Sequence, residues 1–302
     1  MQASFAADPR AWRELARRVE GNGYSSFFMP DHLGMQWGPL VGLTVAAEAT
    51  TALKVGTLVL DNDFRHPMVV AKELATLDLV SEGRLEVGIG AGWQLSDYEQ
   101  SGIPFDPAPA RITKLGESVH MLKSLWSGNA VDFDGEHYKL RSAASTPVPV
   151  SAPHPAIIIG GGGKRVLSLA AREADIVGVN PNLAAGKIGP QAAATATNEH
   201  YRKRRAWVKE AAGDRFSQLE LQCWTFSAHV AQNGREIISA VASGFGVDSS
   251  VVANMPIVLV GTLEQVVESL QRHREELGLS YWVVHEPEME DFAPVVARLA
   301  GT

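Results

Sequence analysis

Asp31 and His32 stand just after the apolar run Tyr24 to Met29 and a single proline, Pro30. An imidazole at such a position suits proton transfer near neutral pH, and the adjacent carboxylate is placed to orient or charge it. A solvent-facing histidine following a strand is the other reading these two residues allow. Asp61 to His66 follows a second apolar run, Lys54 to Leu60, and Gly90-Ala91-Gly92-Trp93 follows a third, Leu85 to Ile89. The glycines admit a flat ring close to the backbone, and Trp93 serves either as a wall for that ring or as a plug of the core. A fourth run, Pro155 to Ile159, enters Gly160-Gly161-Gly162-Gly163-Lys164 and then a helical pattern. Backbone N–H groups freed by glycine, next to a helix N-terminus, form a cradle for an anion such as phosphate. The sequence has neither the GK[ST] ending of a P-loop nor GxGxxG, and a tight turn is the alternative. Asn180 ends the next run, Asp175 to Val179.

Other clusters point to no chemistry. His32, His66 and His285 could contribute metal ligands, but no HExxH or similar spacing occurs, so no metal is expected. The basic run Tyr201 to Arg205 is expected to be a solvated helix face.

What the candidate positions share is their place at the ends of predicted strands. Lys54 to Leu60 is short and rich in β-branched residues, as in a strand buried on both faces. Pro67 opens a segment with apolar residues at 69, 70, 74, 77 and 80, which is helical spacing, and Gly83 stops it before the next strand. Strand, helix, strand in about forty residues is a βαβ unit with parallel strands. The pattern recurs along the chain, with helices expected at 8–20, 39–50, 109–126, 165–173, 235–243, 262–277 and 287–299. Residues 183–213 are expected to be helical, 94–108 irregular, and Asp134-Gly135 to turn a two-residue hairpin. Seven clear strands and a truncated first predict an α/β fold, a (β/α)8 TIM barrel in one domain spanning 1–302. A doubly wound sheet is the alternative. A hairpin insertion at about 129–141 and rim insertions at about 94–108 and 244–260 complete it, the rim segments serving as mobile lids. On such a barrel the residues following each strand share one rim.

The bulk numbers agree with a packed enzyme-sized domain. The chain has 302 residues, 45% hydrophobic and 20% charged, with a formal charge of −7 that argues against nucleic acid as a partner. One cysteine, Cys223, excludes an intramolecular disulfide. The first residues have no basic, apolar signal pattern, and no apolar run reaches the ~18 residues of a membrane span, so a cytoplasmic location is expected.

Taken together, the pieces PDH at 30–32, VGTLVLDNDFRHP, GRLEVGIGAGW, GIPF, IIIGGGG with AAREADIVGVNP, and VLVGTLEQVVESL resemble the luciferase-like monooxygenase superfamily, flavin- and deazaflavin-dependent (β/α)8 barrels. The likeness extends over nearly the whole chain and is greatest to the actinobacterial branch that uses coenzyme F420, an 8-hydroxy-5-deazaflavin. The resemblance implies that Asp31 and His32 face the reacting side of the ring, and that a non-prolyl cis peptide at Leu58-Val59 backs it. It implies cofactor contacts from Asp61, Gly90, Ala91, Gly92 and Trp93. Gly161, Gly162 and Gly163 would hold the cofactor phosphate, with Lys164 or Arg165 meeting its acidic tail and Asn180 nearby. A homodimer is implied as well. Relatives that oxidise sugar phosphates carry glutamate where this chain has Trp93, which argues against a sugar-phosphate substrate. The implied activity is hydride transfer between deazaflavin C5 and a carbonyl, imine or enone. In that reading His32 carries the accompanying proton and Asp31 orients it. An FMN-dependent monooxygenase using reduced flavin and O2, and a non-catalytic flavin-binding barrel, are the alternatives.

Overall fold

Apolar runs too short to be helices become strands buried on both faces, and each amphipathic segment packs its apolar stripe against them. The computed structural model describes residues 1–301 and divides into two units.

The first unit comprises Ala3–Glu20 and Ser26–Ile159. It contains α1 (Pro9–Gly21), β1 (Ser26–Met29), α2 (Pro39–Ala49), β2 (Lys54–Thr57), β3 (Leu60–Asp61), α3 (Pro67–Val80) and β4 (Leu85–Gly90). Beyond these lie α4 (Leu95–Ser101), α5 (Ala108–Trp126), β5 (Val131–Asp134), β6 (Lys139–Ala143) and the start of β7 (Ala156–Gly161). Strands β1, β2, β4 and β7 are parallel neighbours in that order, with Ser26 opposite Lys54, Val55 opposite Leu85 and Glu86 opposite Ala156. All residues of β1 and β4 are buried, which is why these segments read as continuous rather than alternating apolar runs. The predicted strand 54–60 is two pieces, β2 and β3, with the cis peptide Leu58-Val59 between them. The stretch 94–108 is not irregular throughout, since it holds α4. Only seven residues long, α4 falls short of the window in which helical periodicity is legible. The hairpin β5–β6 pairs Asp134 with Lys139, and the Gly135 N–H donates to the Tyr138 carbonyl at 2.9 Å, so the turn falls at Glu136-His137 rather than at Asp134-Gly135.

The second unit comprises Met1–Gln2, Gly21–Ser25 and the chain from Gly160 onward. Its elements are α6 (Lys164–Glu173), β8 (Ile176–Val179), α7 (Pro190–Ala194), α8 (Asn198–Ala212), β9 (Glu220–Trp224) and β10 (Ser227–Val230). They continue with α9 (Gly234–Phe245), α10 (Ser249–Val252), β11 (Val258–Gly261), α11 (Leu263–Leu277), β12 (Leu279–Val283) and α12 (Met289–Leu299). Strand β9 lies parallel between β8 and β12. The truncated first strand reduces to Gln2, which bridges His285 and donates its N–H to the Val284 carbonyl at 2.8 Å. Strands β10 and β11 form a separate parallel pair that periodicity did not predict; each is four residues long. The segment 183–213 is helical only from Pro190 to Ala194 and from Asn198 to Ala212. Among the described residues no helix is long and apolar enough to cross a membrane, and none of them form a group of three or more His, Cys, Asp or Glu able to hold a metal.

Candidate active site

In the first unit, the strand ends gather Asp31, His32, Asp61 and Trp93 as expected, with different pairings. Neighbouring residues of an extended backbone project to opposite sides. Asp31 accordingly turns to Arg65, whose Nη1 and Nη2 donate to its two carboxylate oxygens, the latter at 3.1 Å. It also accepts the Asp61 N–H at 3.1 Å. Asp31 therefore does not orient His32. That task falls to Asp97, whose Oδ2 lies 2.7 Å from His32 Nδ1. Asp97 is 2% exposed and is itself fixed by the Leu33 N–H at 3.3 Å and by Gln94 Nε2 at 3.0 Å. With Nδ1 engaged, Nε2 is the ring nitrogen left for chemistry. Trp93 stands edge-on to the imidazole, with ring centroids 5.6 Å apart.

The glycine segment after β4 is shaped by close approach. A Cβ on Gly92, whose φ is +70°, would lie 1.8 Å from the Tyr98 hydroxyl and 2.6 Å from Asp61 Oδ2. One on Gly90 would lie 2.7 Å from Val59 Cγ2, so this glycine makes room for the cis Leu58-Val59 segment. Arg111 holds the segment from behind, donating from Nη1 to the Ala91 carbonyl at 2.8 Å and to that of Gly92. Its guanidinium lies 4.0 Å from the centre of the Phe105 ring.

Asp61 is buried and accepts hydrogen bonds from the Tyr98 hydroxyl at 3.0 Å and the Asp63 N–H at 3.0 Å. Burial, reinforced by the charges of Asp63 and Asp31, pushes its carboxyl up to about 6 despite those hydrogen bonds. The Tyr98 hydroxyl is pushed well above the ordinary phenol range, first by burial and then by Asp61 and Asp63.

Sequence reasoning missed Asp97, Tyr98 and Arg111 as site residues, and gave Arg65, inside the candidate run Asp61 to His66, no role of its own. Asp97 sits in the first turn of α4, where the helix dipole favours a carboxylate, but a seven-residue helix gives no periodic signal that would have pointed to it. The other two histidines weighed as metal ligands, His66 and His285, have ordinary partners. His66 accepts the Met68 N–H as the N-cap of α3, and His285 Nε2 lies 2.9 Å from the Thr225 carbonyl, with burial holding that imidazole below its usual range.

In the second unit, the glycine turn at the end of β7 leads into α6, whose N-cap is Gly163 with no side-chain cap. Added Cβ atoms would meet Val166 Cγ1 at 2.3 Å from Gly161 and the Pro181 carbonyl oxygen at 2.3 Å from Gly162, so packing demands both glycines. Among the described residues nothing lies within 4 Å of a would-be Cβ on Gly163, which borders open space. Asn180 donates its N–H to the Gly161 carbonyl at 3.0 Å. Its Oδ1 is buried with no hydrogen-bond partner among the described residues, as is Gln222 Nε2. Lys164 faces Glu210 at 3.1 Å on the surface, and the run 201–205 is not a solvated face, because Tyr201 and Arg204 are buried. The helix period explains the difference: two positions three apart share one face, and here that face is the inner one.

A family model described as luciferase-like monooxygenase matches residues 2–214. The chain is 35% identical over 179 residues to an F420-dependent glucose-6-phosphate dehydrogenase of Mycobacterium avium, a match covering 55% of this chain and 52% of that protein. It thus spans about half the length of the curated relatives it matches. Among solved structures, the coenzyme F420-dependent tetrahydromethanopterin reductase of Methanopyrus kandleri superposes with a TM-score of 0.77 at 18% identity, covering 98% of this chain and 96% of that one. A monooxygenase from Streptomyces bottropensis superposes with a TM-score of 0.73 at 21% identity, covering 97% and 92%. These two likenesses show a shared fold.

Proposed function

The chain belongs to the luciferase-like monooxygenase family, and on that premise we propose that it is an F420-dependent oxidoreductase acting on a small organic carbonyl, imine or enone. The cofactor assignment draws support from the 35% identity with an enzyme named for F420. A bound deazaflavin supplies the hydride donor or acceptor.

The observation that carries the catalytic reading is the His32–Asp97 pair at 2.7 Å. A buried carboxylate accepting the Nδ1 proton sets the tautomer and leaves Nε2 to give or take the substrate proton. Arg65 neutralises Asp31 and so keeps that carboxylate from competing for the imidazole. Leu58, Val59, Asp61, Gly90, Ala91 and Gly92 form the ring-binding set in this reading, and Arg111 keeps the glycine segment in place. Trp93 gives the site an apolar edge, which supports an uncharged substrate over the sugar phosphate of the named relatives. The second unit's residues fit a phosphate-bearing side chain: Gly163 is open, the α6 N-terminus has no side-chain cap, and Asn180 Oδ1 and Gln222 Nε2 lack partners among the described residues. Gly161, Gly162, Gly163 and Asn180 are assigned to that group.

The (β/α)8 barrel in one domain belongs to the same proposal, supported by the parallel strand order within each unit and the shared fold. A homodimer is supported by the exposed apolar side chains of Val41, Val69 and Leu79 on α2 and α3.

Fluorescence titration of the purified protein with F420 and, separately, with FMN tests the assignment. Preferential binding of F420 together with loss of turnover in His32→Ala at unchanged affinity is the expected result. Preference for FMN would make the protein a flavin monooxygenase instead, and turnover surviving in His32→Ala would remove the histidine from the chemistry. Binding without turnover of any carbonyl, imine or enone would leave a non-catalytic binding barrel.

A further inference from the structure

Arg204 is 3% exposed on α8, yet no carboxylate lies within ion-pair distance of it among the described residues. Its Nε donates to the Gly162 carbonyl at 3.1 Å and its Nη1 to the Thr195 carbonyl at 2.6 Å. Nη2 has no protein partner among the described residues. Burial holds the guanidinium below the usual arginine range, as befits a cation with no counter-charge. A buried, unneutralised charge is costly, and proteins retain one where an anion completes it.

The surroundings of Arg204 indicate where that anion binds. In a trans peptide the carbonyl and the following N–H point in opposite directions. Fixing the Gly162 carbonyl toward Arg204 therefore turns the Gly163 N–H to the other side of the turn. Among the described residues nothing lies within 4 Å of a would-be Cβ on Gly163, the N-cap of the ten-residue helix α6, which has no side-chain cap. On β9, opposite Gly178 of β8, Gln222 is 2% exposed and its Nε2 has no hydrogen-bond partner among the described residues. A Cβ at Gly178 would lie 3.6 Å from both Gln222 Oε1 and Asn180 Nδ2. Lys164, the cation adjacent in sequence, faces Glu210.

We propose that Arg204 is the positioning cation of a phosphate subsite formed by Gly163 and the first turn of α6. It presents the turn's N–H groups to the anion and supplies, from behind, the positive charge that the anion neutralises. The ligand is the phosphate on the cofactor side chain, so the cofactor's identity rests on the function proposed above while the charge requirement does not. A full charge close to an anion in a partly buried site is worth about tenfold or more in affinity.

The test uses the full chain and two ligand pairs: F420 against the same deazaflavin lacking its phosphate and everything beyond it, and FMN against riboflavin. The wild type is expected to prefer the phosphorylated member. Arg204→Met is expected to lose about tenfold or more of that preference while binding the unphosphorylated member as before, and Arg204→Lys to restore most of it. Arg204→Gln, which keeps a donor without the charge, should behave like Arg204→Met and covers the case in which methionine does not fold. Equal losses for both members of a pair would make Arg204 purely structural. No preference for phosphate in the wild type, or a preference unchanged in a folded Arg204→Gln, would overturn the proposal. If only FMN binds, the F420 assignment fails while the FMN-to-riboflavin ratio still decides on Arg204.

Discussion

His32 Nδ1 lies 2.7 Å from Asp97 Oδ2, a pair formed across 65 positions of the chain while the carboxylate next door, Asp31, is bound to Arg65. The two acidic residues that flank the imidazole in space and in sequence thus have separate duties, and substitution should separate them.

Asp97→Asn is expected to lower kcat by about a hundredfold, the typical contribution of a well-positioned proton carrier, with cofactor affinity within a fewfold of wild type. Asp31→Asn should instead lower thermal stability by about 3 kcal/mol, because it leaves Arg65 without its counter-charge in a largely buried site. Steady-state kinetics and thermal melts on the two variants check this. Equal behaviour would mean that the pairings do not divide the work.

Asp61 makes stability pH-dependent with a definite sign. Its carboxyl titrates near 6 in the folded chain, against 3.8 as the ordinary value, so the folded state holds the proton more tightly. The stability that this protonation contributes is complete below about pH 4 and lost as pH rises through about 6, a difference of about 3 kcal/mol. Asp61→Asn should therefore be more stable relative to wild type at pH 7.5 than at pH 4, measured by denaturant unfolding at both pH values. A difference independent of pH would refute the assignment.

His273 gives the opposite sign. Both ring nitrogens are buried beside Trp282 without partners among the described residues, and burial pulls the imidazole down to about 4. The unfolded chain takes the proton first, so stability falls as pH drops from about 6.5 to about 4, by about 3 kcal/mol in all. His273→Leu should flatten that decline in acid unfolding curves.

Two glycines offer a matched contrast. Gly92→Ala combines a left-handed φ with a Cβ that would meet Tyr98 and Asp61, and should lower stability by about 2 kcal/mol or more. Gly163→Ala adds a methyl in open space at φ −105°, and should leave the melting temperature near wild type while weakening the phosphorylated cofactor. Thermal melts and ligand titrations separate the two effects.

Much of this protein is legible in its sequence. Parallel strands buried on both faces leave unbroken apolar runs such as Leu85 to Ile89, and helices leave stops such as Gly83, with its φ of +79°. The strand-end rule then brought Asp31, His32, Asp61, the Gly90–Trp93 segment and the glycine turn to notice, and resemblance alone pointed to the cis Leu58-Val59 peptide that the structure has. What tertiary structure decided was pairing. Asp31 looked like the partner of His32 because it is adjacent, but backbone geometry turns adjacent side chains apart, and Asp97 arrives from a helix too short to announce itself. Arg204 looked solvated because its neighbours are basic, whereas helix phase buries it under the glycine turn. Local sequence determines which residues reach a strand end or a helix face; which charges meet there depends on directions and packing that only the folded chain sets.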